Sequence, residues 1–162
     1  MTSQPADRIV VRRLAASDHA GWLAMRTALY VEADPDTRVA ELVQEIDTML
    51  GRDDWAAFGA EAPGGELVGL IELFERNCAE GCVSSPVCYI EGLWVDAAWR
   101  RRGLARRLVE AGRDWARSRG RTEMASDVQI TNLLSQTVHR RLGFAETERL
   151  VTYRQPIGAI AS

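Results

Sequence analysis

Tyr89-Ile90-Glu91-Gly92-Leu93-Trp94-Val95, followed after a short turn by Arg100-Arg101-Arg102-Gly103-Leu104-Ala105, decides how this chain folds. An apolar strand carrying one carboxylate runs through the turn into a helix, and three arginines and a glycine stand at the join. A glycine there lets the backbone approach a ligand closely. The first N–H groups of a helix have no intrahelical acceptor and lie at the positive end of its dipole, so they form an anion site. Neighbouring arginines add charge-assisted contacts to phosphate. The stretch predicts a phosphate cradle joined to a strand that positions a reacting group. A basic surface turn before a helix is the alternative; the apolar strand on one side and the amphipathic helix on the other weigh against it.

Toward the C-terminus, the spacing of Leu104, Leu108, Ala111 and Trp115 predicts a helix over 103–119 with those residues inward, closed by Gly120. Glu123 to Val128 reads as a short strand. Thr131 is placed to cap a further helix with Leu134, Val138 and Leu142 inward and Gly143 as its stop, and Phe144 to Tyr153 as a final strand or pair of strands. Toward the N-terminus, Val87 to Val95 is apolar almost throughout, as a central strand buried on both faces would be. A polar loop, Arg76 to Pro86, separates it from a hairpin whose strands, Trp55 to Glu61 and Leu67 to Glu75, meet at Pro63-Gly64-Gly65. Before these come a first strand over Arg8 to Arg13 and a helix from Ser17 or Asp18 to about Tyr30 with Trp22, Met25 and Leu29 on one face. After Pro35, a second helix over Thr37 to Leu50 carries Val39, Leu42, Val43, Ile46 and Leu50 as its stripe and ends at Gly51. The order β-α-α-β-β-β-α-β-α-β predicts one α+β domain over 1–162. Its core is a mixed, mostly antiparallel twisted sheet with helices on both faces.

Composition narrows the chemistry. With 46% apolar and 27% charged residues, the 162-residue chain is an ordinary globular protein. Neither a membrane span nor a secretory leader is visible, so a cytoplasmic protein is expected. All 20 basic residues are arginine, which excludes lysine nucleophiles and Schiff bases. Acids dominate residues 28–66, where only Arg38 and Arg52 oppose them, and the balance reverses over 100–121. One region should attract cations and the other anions. A net charge of -3 with this split argues against a nucleic-acid partner. Cys78, Cys82 and Cys88 match no zinc or disulfide spacing and are expected to be ordinary thiols, with no metal. His19 is expected to face solvent.

Arg100 to Ala105 fit the pattern R/Q-x-x-G-x-A at a helix start, and in their strand-turn-helix setting they resemble the GCN5-related N-acetyltransferase (GNAT) superfamily. The order of elements is similar too. Cys82-Val83-Ser84-Ser85-Pro86-Val87, Ile90-Glu91-Gly92, Glu123-Met124-Ala125-Ser126-Asp127, Ser135-Gln136, His139, Leu142-Gly143-Phe144, Glu146-Thr147-Glu148-Arg149 and Tyr153 look like its aminoglycoside 6′-N-acetyltransferase branch. That resemblance is close over about residues 82–154 and loose in the N-terminal half. It implies an acetyl-CoA-dependent, homodimeric enzyme of antibiotic resistance. Leu93, Trp94 and Val95 would meet the acetyl-pantetheine arm, Arg100, Arg101, Arg102, Gly103, Leu104 and Ala105 the pyrophosphate, and Asn132 the pantetheine. Glu91, Asp127 and Glu148 would line the aminoglycoside site. Aminoglycosides are polycations rich in hydroxyls, so carboxylates suit such a pocket.

Only a neutral amine attacks a thioester, so the substrate ammonium must lose a proton. Glu91, in an apolar strand where an unpaired carboxylate is costly, is a candidate acceptor, directly or through water. A salt bridge to an arginine is the alternative. Asp127, at a strand end, could share the role, and the sequence does not rank the two. His139 stands where many relatives in the wider superfamily carry a tyrosine that protonates the leaving thiolate, and its ordinary pKa suits that task; packing or hydrogen bonding alone is the alternative. Tyr153 is a second candidate acid. The chain departs from its relatives at Tyr30, near which they often show a tryptophan against the substrate, and at Cys78, where they can place an aromatic. The rival readings are acetylation of another small amine, a polyamine or a protein amine, and a non-catalytic acyl-CoA-binding domain.

Overall fold

In the computed structural model, which describes residues 9–34 and 38–158, five strands form one sheet in the order β1-β2-β3-β4-β5. They are β1 (Val10–Arg13), β2 (Trp55–Glu61), β3 (Leu67–Arg76), β4 (Val87–Val95) and β5 (Met124–Ser126). The helices are α1 (His19–Ala33), α2 (Val39–Leu50), α3 (Leu104–Ser118) and α4 (Leu133–Arg141). The first four strands pair antiparallel and β5 joins β4 in parallel. A hairpin turn suffices for antiparallel neighbours, whereas the parallel pair needs a crossover, which α3 supplies. The chain divides into two compact units after Asp127, the first holding the sheet with α1 to α3 and the second holding α4.

Alternation along β3 sorts the helices of the first unit onto two faces. Successive strand residues point to opposite sides. Glu72 meets Trp22, Arg26 and Tyr30 of α1. Leu73 faces α3, its methyl 3.0 Å from where a Cβ on Gly112 would stand. On the α1 side Leu14, Trp22, Met25, Ile46, Met49 and Leu70 form the core, and on the α3 side Leu104, Leu108, Val109 and Trp115 are buried. Each large apolar side chain so buried contributes about 1.5–3 kcal/mol.

Several expectations need correction. Arg8, Pro35 and Thr37 lie outside the described residues. The stripe of α2 is Leu42, Ile46 and Met49, at helical spacing, while Val39 and Leu50, the first and last residues of the helix, stay exposed. Ala111 is only half-buried because Gly112 takes the close approach to the sheet. Asn132, not Thr131, caps α4: its Oδ1 accepts from the Ser135 N–H at 3.0 Å, the usual geometry of an asparagine cap. Leu134 is exposed. Residues 144–157 form no strand. The described sheet ends at β5, so no ladder holds them extended, and Glu146 and Arg149 pair locally at 2.6 Å. His19 is half-buried, its Nε2 3.4 Å from Asp47. No helix of the described residues is long and apolar enough to cross a membrane.

Candidate active site

β4 and β5 run side by side for only three residue pairs, the last of them Ile90 with Ser126. Glu91 and Asp127 are the first residues past that pair, at the point where the strands part. From Glu91 to Val95, β4 keeps β3 as its neighbour, and its other edge has no strand partner among the described residues. Such an edge offers backbone donors and acceptors to an extended ligand. The fork coincides with a bulge: Ile90 pairs with Leu73 and Gly92 with Glu72, leaving Glu91 as the extra residue. A bulge bends its strand and re-aims a side chain, a common device beside active sites.

Two further side chains link the two carboxylates at the fork. Arg76, at the end of β3, donates from Nε to Glu91 Oε1 and from its terminal amine to Oε2, both at 2.8 Å. Its guanidinium lies 3.5 Å from the centre of the Tyr89 ring. The Tyr89 hydroxyl in turn donates to Asp127 Oδ1 at 2.7 Å. The ion pair weighed as the alternative for Glu91 is thus present, and Glu91 and Asp127 belong to one network. Burial, then the hydrogen bond to Asp127, holds the Tyr89 phenol above its ordinary range, so it remains a donor.

Glu91 also lines a cleft of about 550 Å³ beneath α1 and α2, whose walls hold the carboxylates of Glu41, Glu45, Glu72 and Glu91 against the guanidiniums of Arg26 and Arg52. The surplus of carboxylates favours a cationic ligand. Trp55 stacks on Phe74 with ring centres 4.7 Å apart, giving the same cleft a flat apolar wall. Tyr30 reaches into it, with its hydroxyl 3.2 Å from both Glu72 Oε2 and the Glu91 carbonyl oxygen. Sequence reasoning missed Glu72, Arg76 and Tyr89. A carboxylate in the apolar run Leu67-Val68-Gly69-Leu70-Ile71-Glu72-Leu73 is the same signal that marks Glu91; the other two emerge only from strand register.

At the far end of β4, Asp96 caps a short 3₁₀ turn, its Oδ1 accepting from the Ala98 N–H at 2.8 Å. The chain then passes Arg100, Arg101 and Arg102, all exposed, into α3. Arg100 Nε donates to the Val95 carbonyl at 3.0 Å, which ties the turn back to the strand. Arg102 lies over Trp99 at 4.8 Å. Gly103 adopts φ +77°, and a Cβ placed on it would meet nothing within 4 Å, so open space lies directly above the start of α3. Open backbone at a helix N-terminus and exposed guanidiniums fit a pyrophosphate, and therefore the coenzyme A that the resemblance implies. Leu93, Trp94 and Val95 are half-buried on the strand leading there.

The second unit carries Asn132, His139 and Glu148. Asn132 Oδ1 is engaged in capping α4. His139 Nδ1 lies 2.8 Å from the Ser135 carbonyl, which can only accept, so this nitrogen carries a proton. The ring meets Phe144 edge-on at 5.4 Å. Glu148 is exposed, as is Tyr153. All three cysteines are free thiols. Cys88 is buried, and burial pushes it up to about 12, which leaves it inert as a nucleophile at neutral pH.

The chain is similar over most of its length to known acetyltransferases. Residues 21–144 match the model of the Acetyltransferase (GNAT) family. Aminoglycoside N(6')-acetyltransferase type 1 of Serratia marcescens is 43% identical over 138 residues, which cover 85% of this chain and 92% of that enzyme. The enzyme of the same description from Klebsiella aerogenes is 37% identical over 148 residues, covering 91% and 97% respectively. Among solved structures, AAC(6')-Iy in complex with the bisubstrate analog CoA-S-monomethyl-acetylneamine matches with a TM-score of 0.86 at 33% identity, over 92% of this chain and 99% of that one.

Proposed function

We propose that this chain, which belongs to the GNAT acetyltransferase family and within it to the aminoglycoside 6′-N-acetyltransferases, transfers an acetyl group from acetyl-CoA to the 6′-amine of aminoglycosides. The observation that carries this reading is the fork, where two carboxylates flank the point at which the free edge of β4 begins and an acidic cleft opens beside it. Coenzyme A binding alone requires neither carboxylate. Bound acetyl-CoA supplies an activated acyl thioester.

The chain's own residues do the rest. The arginines and amides at the start of α3 hold the pyrophosphate, and the edge of β4 from Leu93 to Val95 aligns the arm that carries the thioester. Backbone N–H groups of that edge stabilise the charge developing on the carbonyl oxygen. Glu91 and Asp127 orient the substrate ammonium and take its proton, directly or through water. Tyr30 and Glu148 complete the acceptor's surroundings, Asn132 contacts the pantetheine, and His139 returns a proton to the departing thiolate. No cysteine acts as acyl carrier, so the amine attacks in a ternary complex. The family model runs across residues 127–128, which supports one functional domain over 1–162. The exposed apolar side chains of Leu150, Val151 and Ile157 support a homodimer, and dependence on acetyl-CoA supports a cytoplasmic site of action.

The test is coenzyme A release by the purified protein with acetyl-CoA and kanamycin, tobramycin, spermidine or a peptide. Release is expected with the two aminoglycosides. Release with spermidine or the peptide but neither aminoglycoside would sink the proposal.

A further inference from the structure

Glu72 is fully buried, yet no part of the acetyl-transfer scheme above uses it. An ionisable side chain in such a place is costly unless its partners compensate, and apolar packing of similar volume often serves stability as well or better. Its partners are specific. Trp22 Nε1 donates to Oε1 at 2.6 Å, and Arg26 Nε lies 3.0 Å from the same oxygen. With Oε1 so engaged, Oε2 faces the Tyr30 hydroxyl at 3.2 Å. That hydroxyl stands at the same distance from the main-chain carbonyl of Glu91, the extra residue of the bulge, so its single proton is shared between the two acceptor oxygens. The next residue, Gly92, leaves no room between them: a Cβ there would lie 3.0 Å from the Tyr30 oxygen and 3.3 Å from Glu72 Oε2.

A peptide unit is planar, with its C=O and N–H pointing in opposite directions. Whatever holds the carbonyl of Glu91 therefore also fixes the N–H of Gly92 and the direction in which β4 leaves the fork. We propose that Glu72 is a positioning residue for acetyl transfer, holding Tyr30 so that its hydroxyl fixes the Glu91–Gly92 peptide and with it the aim of the Glu91 carboxylate and the β4 edge. The inference rests on the proposed acetyl transfer for its kinetic reading but not for its structural one. A small misalignment of groups at a reacting centre is enough to cost turnover without loss of affinity.

The test compares Tyr30→Phe, Glu72→Gln and the double variant. Kinetics are measured with whichever amine the wild type acetylates, and backbone amide exchange is measured in the protein without ligand. Each single variant should lower kcat about tenfold, with KM for acetyl-CoA within about twofold. The double variant should match the singles rather than multiply their losses, since both act through one contact. Exchange at the Gly92 amide should quicken in Tyr30→Phe while the hydrophobic core of α3 is unchanged. Unaltered kcat in Tyr30→Phe alongside a lowered melting temperature would show a purely structural role and overturn the proposal. So would multiplicative losses, or unaltered exchange at Gly92. If Glu72→Gln does not fold, Tyr30→Phe alone decides. Exchange does not depend on the acceptor, so failure of the aminoglycoside reading would leave this result interpretable.

Discussion

Arg76 holds Glu91 through both carboxylate oxygens at 2.8 Å, in the parallel two-bond geometry that arginine makes with a carboxylate. The carboxylate proposed to meet the substrate amine is thereby oriented in the protein without ligand. Glu91→Gln keeps the shape and removes the charge. It should lower kcat/KM for aminoglycosides by about tenfold to a hundredfold and leave KM for acetyl-CoA within about twofold. Arg76→Ala should reduce kcat as well, because it releases Glu91 and uncovers the face of Tyr89. Steady-state kinetics with each substrate varied in turn checks both.

Asp127 accepts from Tyr89 on the other side of the fork. Asp127→Ala should depress turnover by roughly tenfold or more while the Kd for acetyl-CoA, read by calorimetry, stays within about twofold. A collapse of acetyl-CoA affinity would show that the division between acceptor and cofactor residues is drawn in the wrong place.

Gly103 opens α3 at φ +77°, a conformation that costs an ordinary L-residue about 1 kcal/mol or more. Gly103→Ala should therefore deform the turn proposed to hold the pyrophosphate. Coenzyme A should bind about tenfold more weakly by calorimetry. Aminoglycoside KM at saturating acetyl-CoA should change little.

Glu75 ties the end of β3 to the end of α3 through Arg119 at 2.7 Å and Arg121 at 2.8 Å. The Arg119 hydrogen bond, followed by that from Arg121, holds its carboxyl below the ordinary value of 4.5. A carboxyl whose folded pKa lies below its unfolded one contributes stability that is complete above the unfolded value and is lost as pH falls through the folded one. Thermal melts should thus show stability falling below about pH 4.5, and Glu75→Gln should flatten that decline. At neutral pH the same substitution should cost roughly 2 kcal/mol, the scale of hydrogen bonds to a charged group.

How much of this was legible beforehand differs between the two ends of β4. The bounds of β4 and the helix start at Gly103 follow from a nearly continuous apolar run and a glycine among arginines, both local signals. The order of elements through α4 was legible for the same reason, each carrying its own periodicity. Asp127 and Glu91 could be named singly, but their placement past the last β4–β5 pair depends on a register that no local pattern specifies. Arg76 and Tyr89, which connect them, are set by the β3–β4 register and its bulge. The segment from Phe144 onward misled because β-branched and aromatic residues indicate a fit to a pleated surface without providing the neighbouring strand. Asn132 and Thr131 compete for one cap, and only the geometry of the Ser135 N–H distinguishes them.

N-Acetylation at the 6′ position requires a nitrogen there, and two related aminoglycosides differ at that atom. Neomycin carries an amine at the 6′ position where paromomycin carries a hydroxyl. With purified protein and saturating acetyl-CoA, coenzyme A release should be rapid with neomycin and absent with paromomycin. Equal rates of release with the two would show that the acetyl group goes to an atom other than the 6′ nitrogen.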